Sequence, residues 1–133
     1  MKHTLVVTLA AIAMTLSTAS SAGPREDLLA RYAAAVKSAG FSAERGQDLH
    51  TRNFAGGKPD TPACTSCHGK EVRGAGRTLA GKPIEPVAVS AAPRRYTDPA
   101  KVEKWFKRNC NEVLGRECTP QEKGDWLTYM IGQ

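Results

Sequence analysis

Cys64-Thr65-Ser66-Cys67-His68-Gly69 stands near the middle of the 133-residue chain, and its reading decides what the rest must build. Two cysteines with two residues between them lie about one turn apart, and a histidine follows the second directly. That spacing lets two thiols add to the two vinyl groups of a haem while the imidazole reaches the iron from one side. A thioredoxin-like redox pair would want a strand before the motif and a helix after it, and a zinc site would want a second Cys or His pair. Neither is evident in the sequence, so the motif reads as the attachment site of one covalent haem c through Cys64, Cys67 and His68.

At the start of the chain, Lys2 and His3 precede an apolar run from Leu5 to Leu16, and small residues follow through Ser20, Ser21 and Ala22. This is the layout of a secretory signal peptide, and the run is too short to span a bilayer as a stable helix. Residues 1–22 are therefore expected to be removed near Ala22 on export to the periplasm, leaving residues 23–133 as one monohaem domain. A domain of that size has little core to spare, and a buried haem would enlarge it. The net charge is +6 without a dense Lys/Arg block, so the charge reads as solvation or docking of acidic partners rather than nucleic-acid binding. A monomer that meets the membrane only through a redox partner is expected.

The remaining pattern is all-α. Leu28, Leu29, Tyr32 and Val36 at helical spacing predict a leading helix over 25–39 that Gly40 ends. Ser42 caps a second helix over about 43–53, in which Gly46 marks a close helix crossing. Residues 69–96 are rich in Gly, Pro and small side chains and predict a long loop around a large cofactor, with no strand. Asp98-Pro99 opens a helix over about 99–111. Thr119 to Glu122 is a capping box for a terminal helix striped with Trp126, Leu127, Met130 and Ile131.

What faces His68 across the iron is harder to read. Met14 leaves with the signal, and Met130 belongs to an apolar stripe, so no methionine is free to ligate. His50 is one alternative, giving bis-histidine ligation. Asn109 is the other: at about 100° per residue it shares an apolar face with Val102, Trp105, Phe106 and Val113, while Asn111 points away. That face is expected to line a dry pocket, with Trp105 and Phe106 beside the haem. A buried asparagine can also simply bond helix-terminal carbonyls. On the other side of the helix, Lys101, Lys104, Lys107 and Arg108 form a solvated face or a docking patch for an acidic redox partner. Cys110 and Cys118 are the thiols left over, and in an oxidising compartment they are expected to pair.

Residues 56–69, GGKPDTPACTSCHG, and residues 95–125, RYTDPAKVEKWFKRNCNEVLGRECTPQEKGD, resemble the Sphaeroides haem protein group in sequence and in spacing. The resemblance runs from Ala43 to Gln133. It implies a class I cytochrome c fold, here with an additional N-terminal helix, and Asn109 as distal ligand. It also implies a gas-binding or oxygen-reducing role fed by other c-type cytochromes. One departure is His50, where class I chains commonly carry an aromatic residue packed on the terminal helix. An amide oxygen suits ferric iron and matches ferrous iron poorly, so Asn109 is expected to let go on reduction and admit oxygen, nitric oxide or carbon monoxide. A plain electron carrier with a permanently six-coordinate haem is the alternative. A nitric oxide dioxygenase would use the same site with turnover, so whether the chain is an enzyme stays open.

Overall fold

The computed structural model describes residues 23–37 and 40–133; the expected signal peptide, residues 1–22, lies outside the described residues. Five helices and one minimal hairpin follow in chain order: α1 (Pro24–Ala34), α2 (Ala43–Thr51), α3 (Thr65–His68), β1 (Gly76–Arg77), β2 (Pro83–Ile84), α4 (Pro99–Leu114) and α5 (Pro120–Ile131). Their starts are where the side chains ask for them. Ser42 accepts from the Arg45 N–H, Asp98 from the Lys101 N–H, and Thr119 and Glu122 bond each other's backbone N–H, which satisfies donors that a helix N-terminus leaves orphaned.

The ends differ more from expectation. α1 stops at Ala34 rather than running to residue 39, and its C-cap is Ala35. α2 stops at Thr51 because Arg52 turns extended, which lets the Phe54 N–H reach the Pro62 carbonyl at 2.7 Å and close the loop leading to Cys64. α4 runs past residue 111 to Leu114, since Val113 and Leu114 continue its buried stripe, and Gly115 at φ 73° ends it in the left-handed conformation. The expectation that 69–96 holds no strand is corrected: β1 and β2 pair antiparallel, Gly76 with Ile84 and Arg77 with Pro83. Gly81 at φ 82° supplies the turn between them. Beyond the hairpin, the Val87 and Ala88 N–H groups share the Val72 carbonyl, and the Val89 N–H bonds the Met130 carbonyl at 3.0 Å. The loop is thereby tied to the end of α5.

α2 crosses α5 at Gly46, as the glycine predicts: a Cβ there would stand 2.1 Å from the Asp125 carbonyl oxygen. α1 adds a separate layer, in which Leu28 and Tyr32 pack with Val102 of α4 and Leu127 of α5. A second cluster joins Leu49 to Cys110, Val113, Leu114 and Cys118, with Cys64, Phe106 and Trp126 against it. The haem motif therefore sits beside the second half of α4, and the loop before it is fixed there too, with the Lys58 N–H on the Glu112 carbonyl at 2.8 Å. Among the described residues, no helix is long and apolar enough to cross a membrane.

Candidate haem site

The motif folds as a single turn. The Cys64 carbonyl accepts from the Cys67 N–H at 3.3 Å and the His68 N–H at 3.0 Å, and Gly69, at φ 73°, ends α3. Cys64 and Cys67 are half-buried and, among the described residues, unpaired. Burial pushes the Cys64 thiol up to about 11, and burial with the Glu112 carboxylate nearby raises the Cys67 thiol. A redox pair works through a lowered thiol, so these values speak against thioredoxin-like chemistry. On the other flank, a Cβ at Gly76 would fall 2.3 Å from the Cys67 carbonyl oxygen, so β1 lies directly on the backbone of the motif.

His68 is kept neutral. Burial, followed by the charges of His50 and Arg95, brings its pKa down to about 4. Its Nδ1 is buried without a hydrogen-bond partner among the described residues. A neutral imidazole is the form that binds metals, and a buried polar atom normally finds a partner, so an orphaned ring nitrogen marks a ring with capacity to spare. Two free thiols and a neutral, under-bonded imidazole fit covalent haem.

His50 is occupied. It is fully buried, its Nε2–H donates to the Gly69 carbonyl at 2.9 Å, and its Nδ1 accepts from the Trp126 indole N–H at 3.4 Å. Its ring packs against Trp126 and Tyr129, each with centroids 6.3 Å away, which is the packing role of an aromatic residue at this place. Neither nitrogen is free for iron. Met130 is also fully buried, in a cluster with Val72, Val87, Ala88 and Tyr129.

The two asparagines of α4 separate as their angles predict. Asn111 is exposed and its Nδ2 donates to the Lys107 carbonyl at 2.6 Å, the helix-bonding role. Asn109 is half-buried, and its amide makes no hydrogen bond among the described residues. Of the apolar face around it, Val102 and Val113 are buried and Phe106 is half-buried. Trp105 departs from the expected dry lining: it is 42% exposed, with the Arg108 guanidinium 5.4 Å from its ring centroid. Trp126 stands between Phe106 and Tyr96 instead. Trp126 meets Phe106 edge-on at 5.5 Å and Tyr96 at 5.7 Å. Tyr96 is the residue that sequence reasoning placed no weight on. It adopts φ 63°, costly for a side chain of its size, while its hydroxyl donates to the Val87 carbonyl at 2.6 Å. Lys101, Lys104, Lys107 and Arg108 are exposed. The sulfurs of Cys110 and Cys118 lie 2.00 Å apart, at bonding distance. Two surface clefts, of about 270 and 230 Å³, are lined by none of the expected site residues.

Helices wrapped about such a motif define the class, a monohaem c-type cytochrome with covalent haem c, and the similar solved structures are of that class. Oxidised SHP, described as an oxygen-binding cytochrome c, superposes with a TM-score of 0.80 at 50% identity, covering 85% of this chain and all of the other. Oxidised cytochrome c'' from Methylophilus methylotrophus gives 0.70 at 30% identity, covering 83% of this chain and 94% of the other. In sequence, the cytochrome c-type protein SHP of Cereibacter sphaeroides is 55% identical over 106 residues, 80% of this chain and 81% of that protein. A family model described only as a domain of unknown function, DUF1924, matches residues 36–130. The chain belongs to this family, that of the Sphaeroides haem protein SHP.

Proposed function

We propose that the chain is an exported, periplasmic haem protein that binds small gases, oxygen first among them, at reduced haem, and that it receives electrons from other c-type cytochromes. In this reading residues 1–22 are the removed signal peptide, residues 23–133 the mature domain, and Cys110 and Cys118 a disulfide. Cys64 and Cys67 would carry the thioether bonds, His68 would hold the iron on one side and Asn109 on the other, with Trp105 and Phe106 beside the ring. When bound, the haem would supply an iron that changes oxidation state by one electron and can bind a small gas.

The observation that carries the reading is the amide of Asn109, unpartnered among the described residues, set against the full engagement of both His50 nitrogens. An amide oxygen is a hard, weak donor, so Asn109 would suit ferric iron and would hold reduced iron poorly. Once released, its N–H groups are available to a gas ligand as donors. Phe106, three residues before Asn109, packs edge to face on Trp126, and Trp126 on Tyr96, which sets an aromatic, apolar surface beside it. Oxygen binding by the SHP relative supports the choice of gas. The test is the optical spectrum of the ferrous protein with and without carbon monoxide. A five-coordinate spectrum that changes with the gas is expected; a six-coordinate low-spin spectrum that ignores it would return the plain electron carrier.

A further inference from the structure

We infer that His50 is a positioning residue that fixes the orientation of His68 through the Gly69 peptide; this rests on the reading of His68 as iron ligand. α3 is four residues long, too short for its own hydrogen bonds to hold it rigid. Its C-terminal end needs an outside anchor, and the Gly69 carbonyl, next after His68, receives one from the His50 Nε2–H at 2.9 Å. The carbonyl can only accept, so Nε2 carries the proton, and the Trp126 indole N–H on Nδ1 selects that same tautomer. His50 thus spans from α5 to the last peptide of the motif. Its ring also stands 6.5 Å from the His68 ring, centroid to centroid. An aromatic hydrocarbon would fill this fully buried place at less desolvation cost, so the two polar atoms serve something that packing does not. Groups one step beyond a metal ligand set its angle and basicity, and here the step passes through backbone.

The experiment compares holoprotein variants by the resonance-Raman iron–histidine stretch of the ferrous form and by reduction potential. His50→Phe fills the space but loses both hydrogen bonds; His50→Gln keeps an N–H for the Gly69 carbonyl. The stretch is expected to broaden and fall in frequency in His50→Phe, with a shifted potential, and to return toward the parent value in His50→Gln. Should His50→Phe fail to fold, Trp126→Phe, which removes the donor that selects the tautomer, is expected to broaden the stretch in the same sense. An unchanged stretch and potential in folded His50→Phe, or in Trp126→Phe if that variant has to stand in, overturns the inference. So does a His50→Gln that behaves like His50→Phe. Absence of any iron–histidine stretch in the parent ferrous protein would instead mark six-coordinate ferrous iron and return the plain electron carrier; the reduction potential then decides, and an unchanged potential in folded His50→Phe overturns the inference.

Discussion

Gly46 and Asp125 meet where α2 crosses α5, so closely that a methyl group on Gly46 would lie 2.1 Å from the Asp125 carbonyl oxygen and 2.8 Å from the Tyr129 Cβ. The obstacle is backbone, which cannot rotate out of the way. Gly46→Ala must force the helices apart and with them His50, one turn further along α2. Overpacking of this kind costs about 1–3 kcal/mol, occasionally more. Urea unfolding of the holoprotein is expected to show a lower midpoint, and an unchanged midpoint would mean that the crossing yields freely.

The same crossing makes stability depend on pH. The Asp125 carboxylate is nearly buried and accepts from the Ser42 N–H at 2.7 Å, from Arg45 Nε and Nη2 at 2.7 Å each, and from Gln121 at 3.0 Å. Burial raises its pKa, but the Arg45 guanidinium and the other donors outweigh burial and leave it below the usual carboxylate value. A carboxyl more acidic when folded than unfolded contributes stability that is complete above the ordinary carboxylate range and drains away as pH falls through its lowered pKa. The urea midpoint is expected to drop on acidification below about pH 5. Asp125→Asn should lower the midpoint at neutral pH and flatten that dependence. Parallel curves for the two proteins would remove Asp125 from the effect.

Cys110 and Cys118 close a short loop, with a sequence separation of 8, around the left-handed Gly115. In the chain-entropy account, a bridge over so short a loop stabilises by about 2–3 kcal/mol. The double variant Cys110→Ala, Cys118→Ala is expected to lose that amount in urea unfolding. Thiol labelling of the unfolded, oxidised holoprotein should find no reactive cysteine, and two labelled thiols would refute the bridge. Because Cys110 adjoins Asn109, such a bridge would also restrain the part of α4 that carries Asn109, and if Asn109 is the distal ligand, carbon monoxide binding kinetics are expected to change on reduction of the disulfide. Identical rates would leave it a purely stabilising role.

What the sequence made legible was local. Ser42, Asp98 and the Thr119–Glu122 box announce helix starts because a side-chain oxygen within three residues decides them. Gly46 announced its crossing because few other needs explain a glycine inside a helix. The face of α4 separated Asn109 from Asn111 by rotation alone. What stayed hidden depends on distant partners. α2 ends at Thr51 for the sake of Phe54 reaching Pro62, and α4 runs on because Leu114 finds Leu49 and Cys118. Tyr96 has no pattern of its own, since its φ of 63° is imposed by where Val87 and Trp126 happen to lie. Trp105 looked buried because periodicity gives direction but not depth; a helix residue can point toward a site and still stand at its open edge.

Asn109 carries the most direct prediction about the haem. Its amide is half-buried and unpartnered among the described residues, whereas Asn111 has its own helix carbonyl. If Asn109 holds ferric iron, Asn109→Ala removes the distal bond and leaves Cys64, Cys67 and His68 untouched. The haem is expected to stay attached through denaturation, while the ferric electron-paramagnetic-resonance and optical spectra change to those of water-bound or five-coordinate iron. Stability should change little, since no hydrogen bond is lost on truncation. The affinity of the ferrous protein for oxygen and nitric oxide is expected to shift, because the variant lacks the amide N–H that would donate to the gas. Carbon monoxide, a poorer acceptor, should be affected less. An unaltered ferric signal in Asn109→Ala, together with an altered one in His50→Ala, would move the distal bond to the histidine and make the bis-histidine electron carrier the better account.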